Sequence, residues 1–253
     1  MARILITGAS SGLGCALARR LSSPDNTLLL LARRVDRLDA LAGELRNGGG
    51  TVSLYPADVT DQDQMREIAR DILSREGVPD LIVANAGIRG TGNGNGPETT
   101  EDIFRTNLMG VIYTVDPFIS AMKETRRGQI ALVGSLAGYR GLPGAGGYCA
   151  SKAALSAWSD SLRFEMEPCG ITVSLVNPGF VTTEMTRNNP YPMPFLWTAD
   201  RAAEAIIRGL DRRKARIEFP LPMVLLLRAF ALLPPRAGDR LFRFFMKPGL
   251  PEG

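Results

Sequence analysis

Two short stretches limit the folds open to this chain: Leu28–Leu31 and Leu81–Ala84 are unbroken apolar runs of strand length. A strand with one wet face alternates apolar and polar residues, whereas a strand covered on both faces has no need to. Further β-rich runs stand at Arg3–Thr7, Thr27–Ala32, Thr51–Tyr55, Asp80–Ala84, Gln129–Val133, Ile171–Val176 and Arg216–Phe219. Helical patterns separate them. Asp36 precedes an amphipathic run through Leu38, Leu41 and Leu45 that stops at Gly48–Gly50. Asp61 opens another through Met65, Ile68, Ala69 and Ile72, ending near Gly77. A third begins near Tyr148 and closes at Pro168 and Gly170. Repeated βα units predict an α/β fold, a single doubly wound parallel sheet with helices on both faces. No linker divides the 253 residues, so one domain over 1–253 is expected: a core over 1–220 and an apolar, basic helical extension over 221–253.

The chain has no His. That excludes Ser-His-Asp and Cys-His nucleophile systems, HExxH zinc sites and any imidazole proton shuttle. Acid-base chemistry must fall to Tyr, Lys, Asp, Glu or Cys. Three scattered cysteines (Cys15, Cys149, Cys169) suit neither a disulfide framework nor a metal cluster, so no metal is expected. They agree with a reducing compartment. Arg3–Thr7 already reads as a strand and Gly8 breaks it, so no secretory leader is expected and the cytoplasm is the expected location. The net charge of +4 is uneven: residues 201–253 hold 11 Lys+Arg against 5 Asp+Glu, and residues 1–200 hold 19 against 21. A solvated helix face or a basic surface near anionic lipid accounts for this better than nucleic-acid binding, because no aromatic-basic motif accompanies the tail.

The first strand runs into Thr7-Gly8-Ala9-Ser10-Ser11-Gly12-Leu13-Gly14. A strand must turn sharply here into a helix whose N-terminus can meet a pyrophosphate. Gly8 permits the turn, Gly12 lets backbone approach phosphate, and Gly14 lets the helix pack on the strand. The spacing Gly-x-x-x-Gly-x-Gly resembles that of the short-chain dehydrogenase/reductase family, a single-domain Rossmann fold of about this length. The resemblance implies that Gly8, Ser10, Ser11, Gly12 and Leu13 contact a dinucleotide.

The second strand ends Ala32-Arg33-Arg34. Rossmann proteins that prefer NAD carry an acid at this strand end for the ribose 2′-OH, while Arg accommodates a 2′-phosphate. NADP(H) is therefore expected, with Arg33 the main contact and Arg34 its helper. Asp58-Val59 resembles the family's adenine-contacting pair, although Asp58 could equally cap the following helix. Asn85-Ala86-Gly87 matches the family's N-A-G element, with Ala84 where a second Asn is common.

The strongest chemical signal is Tyr148-x-x-x-Lys152, four apart and so on one helix face. A free phenol has a pKa of about 10, and an ammonium about 4 Å away supplies around 4 kcal/mol toward lowering it. Ser135, thirteen residues earlier, completes a Ser-Tyr-Lys set that resembles the family's catalytic triad. Asn107 matches the family Asn that orders water beside the Lys in a proton relay, while local backbone satisfaction is the plainer role for it. Asn177-Pro178-Gly179 followed by Val181-Thr182-Thr183 resembles the family's nicotinamide-side element. Pro178, Gly179, Val181 and Thr182 are the implied contacts, with Thr183 close behind.

These readings give an NADP(H)-dependent oxidoreductase acting on a carbonyl or alcohol. Tyr148 is its acid-base group, Lys152 tunes the Tyr and holds the ribose, and Ser135 orients the carbonyl. The alternative is a sensor or scaffold of the same fold without turnover, against which Ser135, Tyr148 and Lys152 argue. Residues 184–199 include Pro190, Pro192, Pro194, Phe195, Leu196 and Trp197, which suggests either a lid over a partly apolar substrate or packing on the core. The tail over 221–247 is short of a spanning helix. It fits a pocket cover, the interface of a homodimer or homotetramer, or peripheral membrane contact.

Overall fold

A computed structural model describes residues 2–90, 99–187, 189, 192–234, 236–238 and 240. In chain order it runs β1 (Ala2–Thr7), α1 (Gly12–Leu21), β2 (Asn26–Ala32), α2 (Val35–Asn47), β3 (Thr51–Pro56), α3 (Gln62–Arg75) and β4 (Leu81–Ala84). Next come α4 (Thr100–Phe104), a π-helical turn (Arg105–Met109), α5 (Gly110–Thr125), β5 (Gln129–Val133), a 3₁₀ turn (Leu136–Tyr139) and α6 (Gly146–Met166). The rest is β6 (Thr172–Pro178), the short β7 (Val181–Thr182) and β8 (Trp197–Thr198), then α7 (Ala199–Asp211), β9 (Arg216–Phe219) and α8 (Leu221–Ala231).

Seven strands form one parallel sheet in the order β3-β2-β1-β4-β5-β6-β9. Leu28, Leu29, Leu30 and Leu31 are all fully buried. Leu28 and Leu30 join the core layer that includes Leu17, Leu38 and Ile206. Leu29 and Leu31 join the opposite layer, with Ile72, Phe118 and Leu162. One four-residue run therefore feeds two cores, which is why it shows no polar alternation. Truncating one of these leucines to Ala is a change of the kind that costs about 2–5 kcal/mol.

All seven expected strands are present, with ends shifted by a residue or so. β7 and β8 were not expected, because a pair of two-residue strands leaves no periodicity in a sequence. Asp61 caps α3, accepting from the Gln64 amide at 3.0 Å. Most of the glycine-rich loop over 89–97 and most of the 240–247 run lie outside the described residues.

The strand order reverses between β1 and β4. A doubly wound sheet opens a crevice at the carboxyl ends of the strands at such a point. Thr7 closes β1 there, and its Oγ1 accepts from the backbone amides of Asn85 (3.0 Å) and Ala86 (3.1 Å). The Asn85 Nδ2 donates back to the Thr7 carbonyl at 2.9 Å.

A Cβ built on Gly14 would lie 2.4 Å from the Gly8 carbonyl oxygen, and one on Gly43 would meet nothing within 4 Å. Gly14→Ala should therefore lower stability by about 2 kcal/mol or more through overpacking. Gly43→Ala, in the exposed middle of α2, should raise it by up to about 1 kcal/mol. Thermal unfolding of the two variants beside the parent checks the pair, and a stable Gly14→Ala protein would contradict the close packing of α1 on β1.

Candidate active site

A cleft of about 600 Å³ opens at the carboxyl edge of the sheet. One end is built on the first glycine turn. Gly8 (φ +67°) and Gly12 (φ +53°) both adopt left-handed backbone, which glycine takes without Cβ strain. Gly8, Ser10, Ser11, Gly12 and Leu13 line the cleft. The first turn of α1 has no side-chain cap and no acidic residue, because the Ser11 hydroxyl accepts from Arg34 Nη2 (2.5 Å) instead. Its amides thus face the cleft as a ready anion site. Arg33, Arg34, Asp58 and Val59 continue this wall.

Asn85, Ala86 and Gly87 form the floor. The far end holds Ser135, which follows β5, and Tyr148 and Lys152 from the first turns of α6. Pro178, Gly179 and Val181 close the β6 side. One continuous space therefore touches a phosphate-type glycine turn, two arginines and a Ser-Tyr-Lys cluster.

The sequence pattern of the family described as short chain dehydrogenase matches residues 2–192. The chain belongs to the short-chain dehydrogenase family. It is 39% identical over 232 residues to an uncharacterized oxidoreductase of Myxococcus xanthus, covering 91% of this chain and 92% of that one. A short-chain dehydrogenase from Sphingobium yanoikuyae, solved in complex with NADPH, superposes with a TM-score of 0.80 at 27% identity, covering 100% of this chain and 98% of that one. An alcohol dehydrogenase from Thermococcus sibiricus, complexed with 5-hydroxy-NADP, gives a TM-score of 0.77 at 30% identity, with 87% and 96% covered. This short-chain dehydrogenase is thus an oxidoreductase of a family that works with nicotinamide cofactors.

Its two arginines are held differently from each other. Arg34 donates to Ser10 Oγ (3.2 Å), Ser11 Oγ and Glu184 (2.9 Å), tying the glycine turn to the segment after β7. Arg33 is more exposed and donates to Asp58 at 3.3 Å. Burial works to raise the Asp58 carboxyl, but hydrogen bonds from Thr60 and the nearby Arg33 charge hold it below its ordinary value. Asp58 accepts from the Thr60 amide and hydroxyl rather than capping α3.

At the reaction end the electrostatics differ from the sequence expectation. Burial pushes the Tyr148 phenol above its ordinary value, while a hydrogen bond with Ser135 and the charge of Arg89 pull it back. The Lys152 ammonium, expected about 4 Å from the phenol, stands 5.8 Å from the Tyr148 ring centroid and donates to the Val133 carbonyl at 2.8 Å. A buried ammonium needs an acceptor, and the last carbonyl of β5 supplies it. Burial also lowers the Lys152 pKa to about 8. The Lys152 ammonium is thus fixed over the Tyr148 ring by its bond to β5.

Two further expected residues are placed as follows. Asn107, the expected relay residue, sits fully buried in the π-helical turn. Its Oδ1 accepts from the Ile88 amide (2.8 Å), and its Nδ2 donates to the Ile88 carbonyl (2.8 Å) and Ser151 Oγ (3.1 Å). Its amide is committed to bracing the loop after β4 against α6. Thr182 lines a second cavity, and Thr183 lines both that cavity and the main cleft. Strand alternation explains this: Val181 points in, Thr182 out and Thr183 in.

Among the described residues, Pro192, Pro194, Phe195, Leu196 and Trp197 of the expected lid do not line the cleft. Trp197 stacks on Phe219 (ring centroids 4.9 Å apart, 12° between planes) and packs against the core. The part of this stretch that lines the main cleft is Glu184, Met185 and Thr186. Sequence reasoning missed Glu184, whose partner Arg34 lies 150 positions earlier. It also missed Arg89 and Thr106 in the cleft wall.

Behind Ser135 lies a second missed group, centred on Glu218 of β9. Its carboxylate accepts from Tyr139 Oη (2.6 Å), Asn177 Nδ2 (3.0 Å) and Arg228 of α8. Arg140 donates to the carbonyls of Phe230 (2.9 Å) and Leu233 (3.2 Å). The turn that follows Ser135 is thereby clasped to the C-terminal helix.

A Lys pKa lowered from 10.5 to about 8 in the folded state means that burial of the ammonium opposes folding below pH 8. The penalty is relieved as pH rises through 8 toward 10.5. The stability of the parent relative to Lys152→Met should therefore rise over that window, by up to about 3 kcal/mol. Denaturant titrations at pH 7.5 and pH 10 measure the difference, and a constant gap would show that the ammonium carries no such penalty.

Proposed function

We propose that this dehydrogenase is an NADP(H)-dependent reductase of carbonyl compounds, run in reverse as an alcohol dehydrogenase. The observation that carries the proposal is the single cleft, with the uncapped glycine turn and Arg33–Arg34 at one end and Ser135, Tyr148 and Lys152 at the other. The bound nicotinamide would supply the hydride equivalent.

The chain's own groups would do the rest. Ser135 Oγ accepts from the Ala137 amide at 3.1 Å, and its hydroxyl proton, which faces the Tyr148 phenol, would also hold the substrate oxygen. Tyr148 Oη would give that oxygen a proton during reduction and take it back during oxidation. Lys152, anchored on Val133, would supply positive charge beneath the phenol and hold the cofactor ribose. Asn107 would act through others, keeping Ile88 and α6 in register. Gly8, Ser10, Ser11, Gly12 and Leu13 would hold the pyrophosphate end. Asp58 and Val59 would flank the adenine, Asn85, Ala86 and Gly87 would support the cofactor from below, and Pro178, Gly179, Val181 and Thr183 would bound the nicotinamide.

Preference for the phosphorylated cofactor rests on Arg33 and Arg34 beside Ala32, where no acid stands to repel a 2′-phosphate. Arg33 would be the phosphate contact. Arg34, with its bonds to Ser10, Ser11 and Glu184, would shape the turn beside it. Titration should show NADPH binding at least about 10-fold tighter than NADH, and Arg33→Ala should remove most of the difference. Equal binding of the two cofactors by the parent would end the NADP(H) assignment.

The reading extends to assembly. Leu221, Leu225 and Leu226 stand exposed on α8, which supports a homodimer or homotetramer built in part on this helix. Among the described residues no helix is long and apolar enough to cross a membrane.

Tyr148→Phe should lower turnover by about 10²-fold or more, the usual scale for losing a general acid, while NADPH still quenches or shifts protein fluorescence as in the parent. A panel of ketones and aldehydes followed at the nicotinamide absorbance provides the assay. Undiminished turnover in that variant would remove Tyr148 from the chemistry.

A further inference from the structure

Arg89 follows the Asn85-Ala86-Gly87 floor by two residues and lines the same cleft as Ser135, Tyr148 and Lys152. We propose that Arg89 is a specificity residue, and that the carbonyl substrate carries an anionic group, a carboxylate or its equivalent, that pairs with this guanidinium. The inference rests on the carbonyl-reductase reading and goes on to name the class of its substrate.

Charge accounting in the cleft comes first. The two acids lining it are already engaged: Asp58 by Arg33, and Glu184 by Arg34 and Arg37. Lys152 is anchored on a backbone carbonyl. Among the described residues Arg89 has no carboxylate partner. Its one hydrogen bond among them runs from Nη1 to the neutral carboxamide of Asn189, at 2.7 Å. A guanidinium has five N–H donors in a rigid fork, so this bond uses only one of them. Arg89 is half-buried, and partial burial strengthens an ion pair over its surface value.

Its position selects the substrate over the cofactor phosphates as the source of the anion. The Arg89 charge is felt at Tyr148 and Cys149, at the reaction end. The glycine turn that suits a pyrophosphate has Arg34 woven into its serines. Two of the large apolar residues of the 184–199 stretch are placed away from this cation. Trp197 is stacked on Phe219, and Leu196 faces the second cavity. Thr106, Thr183 and Thr186 are among the residues that remain in the cleft. A guanidinium in the cleft with no carboxylate partner among the described residues is matched by a small oxo acid held bidentately through its carboxylate.

The test compares 2-, 3- and 4-oxocarboxylates with their methyl esters as substrates, using NADPH and either the parent or Arg89→Gln. For the best chain length the parent should prefer the acid to the ester by at least about 10-fold in kcat/KM, the scale of a hydrogen bond to a charged group. Arg89→Gln should collapse that ratio to near one, and Arg89→Lys should recover part of it. The ratio cancels any general effect of the change on Tyr148. A parent that prefers the esters, or a ratio unmoved in Arg89→Gln, overturns the assignment. So does an Arg89→Gln protein whose main defect is weaker NADPH binding, because the anion would then belong to the cofactor.

If the parent reduces no carbonyl compound at all, the reductase reading fails on its own account. Calorimetric titration of the same acids and esters into NADPH-loaded protein then decides Arg89 separately. Binding of acid over ester that is lost in Arg89→Gln upholds the anion site, and equal binding of the two removes it.

Discussion

Everything at the cleft depends on how closely β1 and β4 meet at their carboxyl ends. Thr7 uses a side-chain oxygen to hold two successive amides of the Asn85-Ala86-Gly87 turn, and Asn85 reaches back to the Thr7 carbonyl. A Cβ on Gly8 would come within 2.9 Å of the Ala86 backbone. With no room for a side chain and no unpaired polar group, the junction sets the distance between the two halves of the sheet. The glycine turn rises from one side of it. The loop that carries Ile88 and Arg89 leaves from the other.

The architecture was legible in the sequence because its causes are local. Leu28–Leu31 must be covered on both faces, and a run of four leucines says so directly. Gly14 could be assigned its packing role from spacing alone, and the close approach to Gly8 bears that out. What was not legible depends on partners far apart in sequence. Tyr148 and Lys152 announce themselves by their spacing, but the path of the Lys side chain depends on the Val133 carbonyl at the end of another strand. Asn107 could be matched to a motif, yet its commitment to Ile88 and Ser151 arises from a π-helical turn that no periodicity reveals. Trp197 looked equally suited to a lid or to the core until Phe219 was found beneath it.

Burial and charge are in tension at the reaction end. The phenol and the ammonium are both withdrawn from water, and withdrawal alone drives their pKa values in the two directions that favour neutral forms. Each polar contact is a partial answer to that pressure: Ser135 and Arg89 act on the phenol, and Val133 on the ammonium. The clasp of Tyr139, Arg140, Glu218 and Arg228 behind Ser135 gives the Ser135 turn a fixed backing that reaches into α8. The C-terminal segment is therefore mechanically continuous with the chemistry, although none of its described residues from 221 onward lines the cleft.

The central place of β1 also has a consequence for how the chain is made. β1 finds β2 within some thirty residues of synthesis, but its other edge stays open until β4 emerges, since Ile4 to Ile6 pair with Leu81 to Val83. Contacts separated this widely in sequence form late in folding. An unpaired strand edge in a partly made chain is a point of aggregation. The nucleotide-type turn is thus encoded in Thr7–Gly14 but acquires its floor only when Asn85-Ala86-Gly87 emerges, some seventy residues later. The nascent chain carries an open edge at a strand that later lies inside the sheet, between β2 and β4.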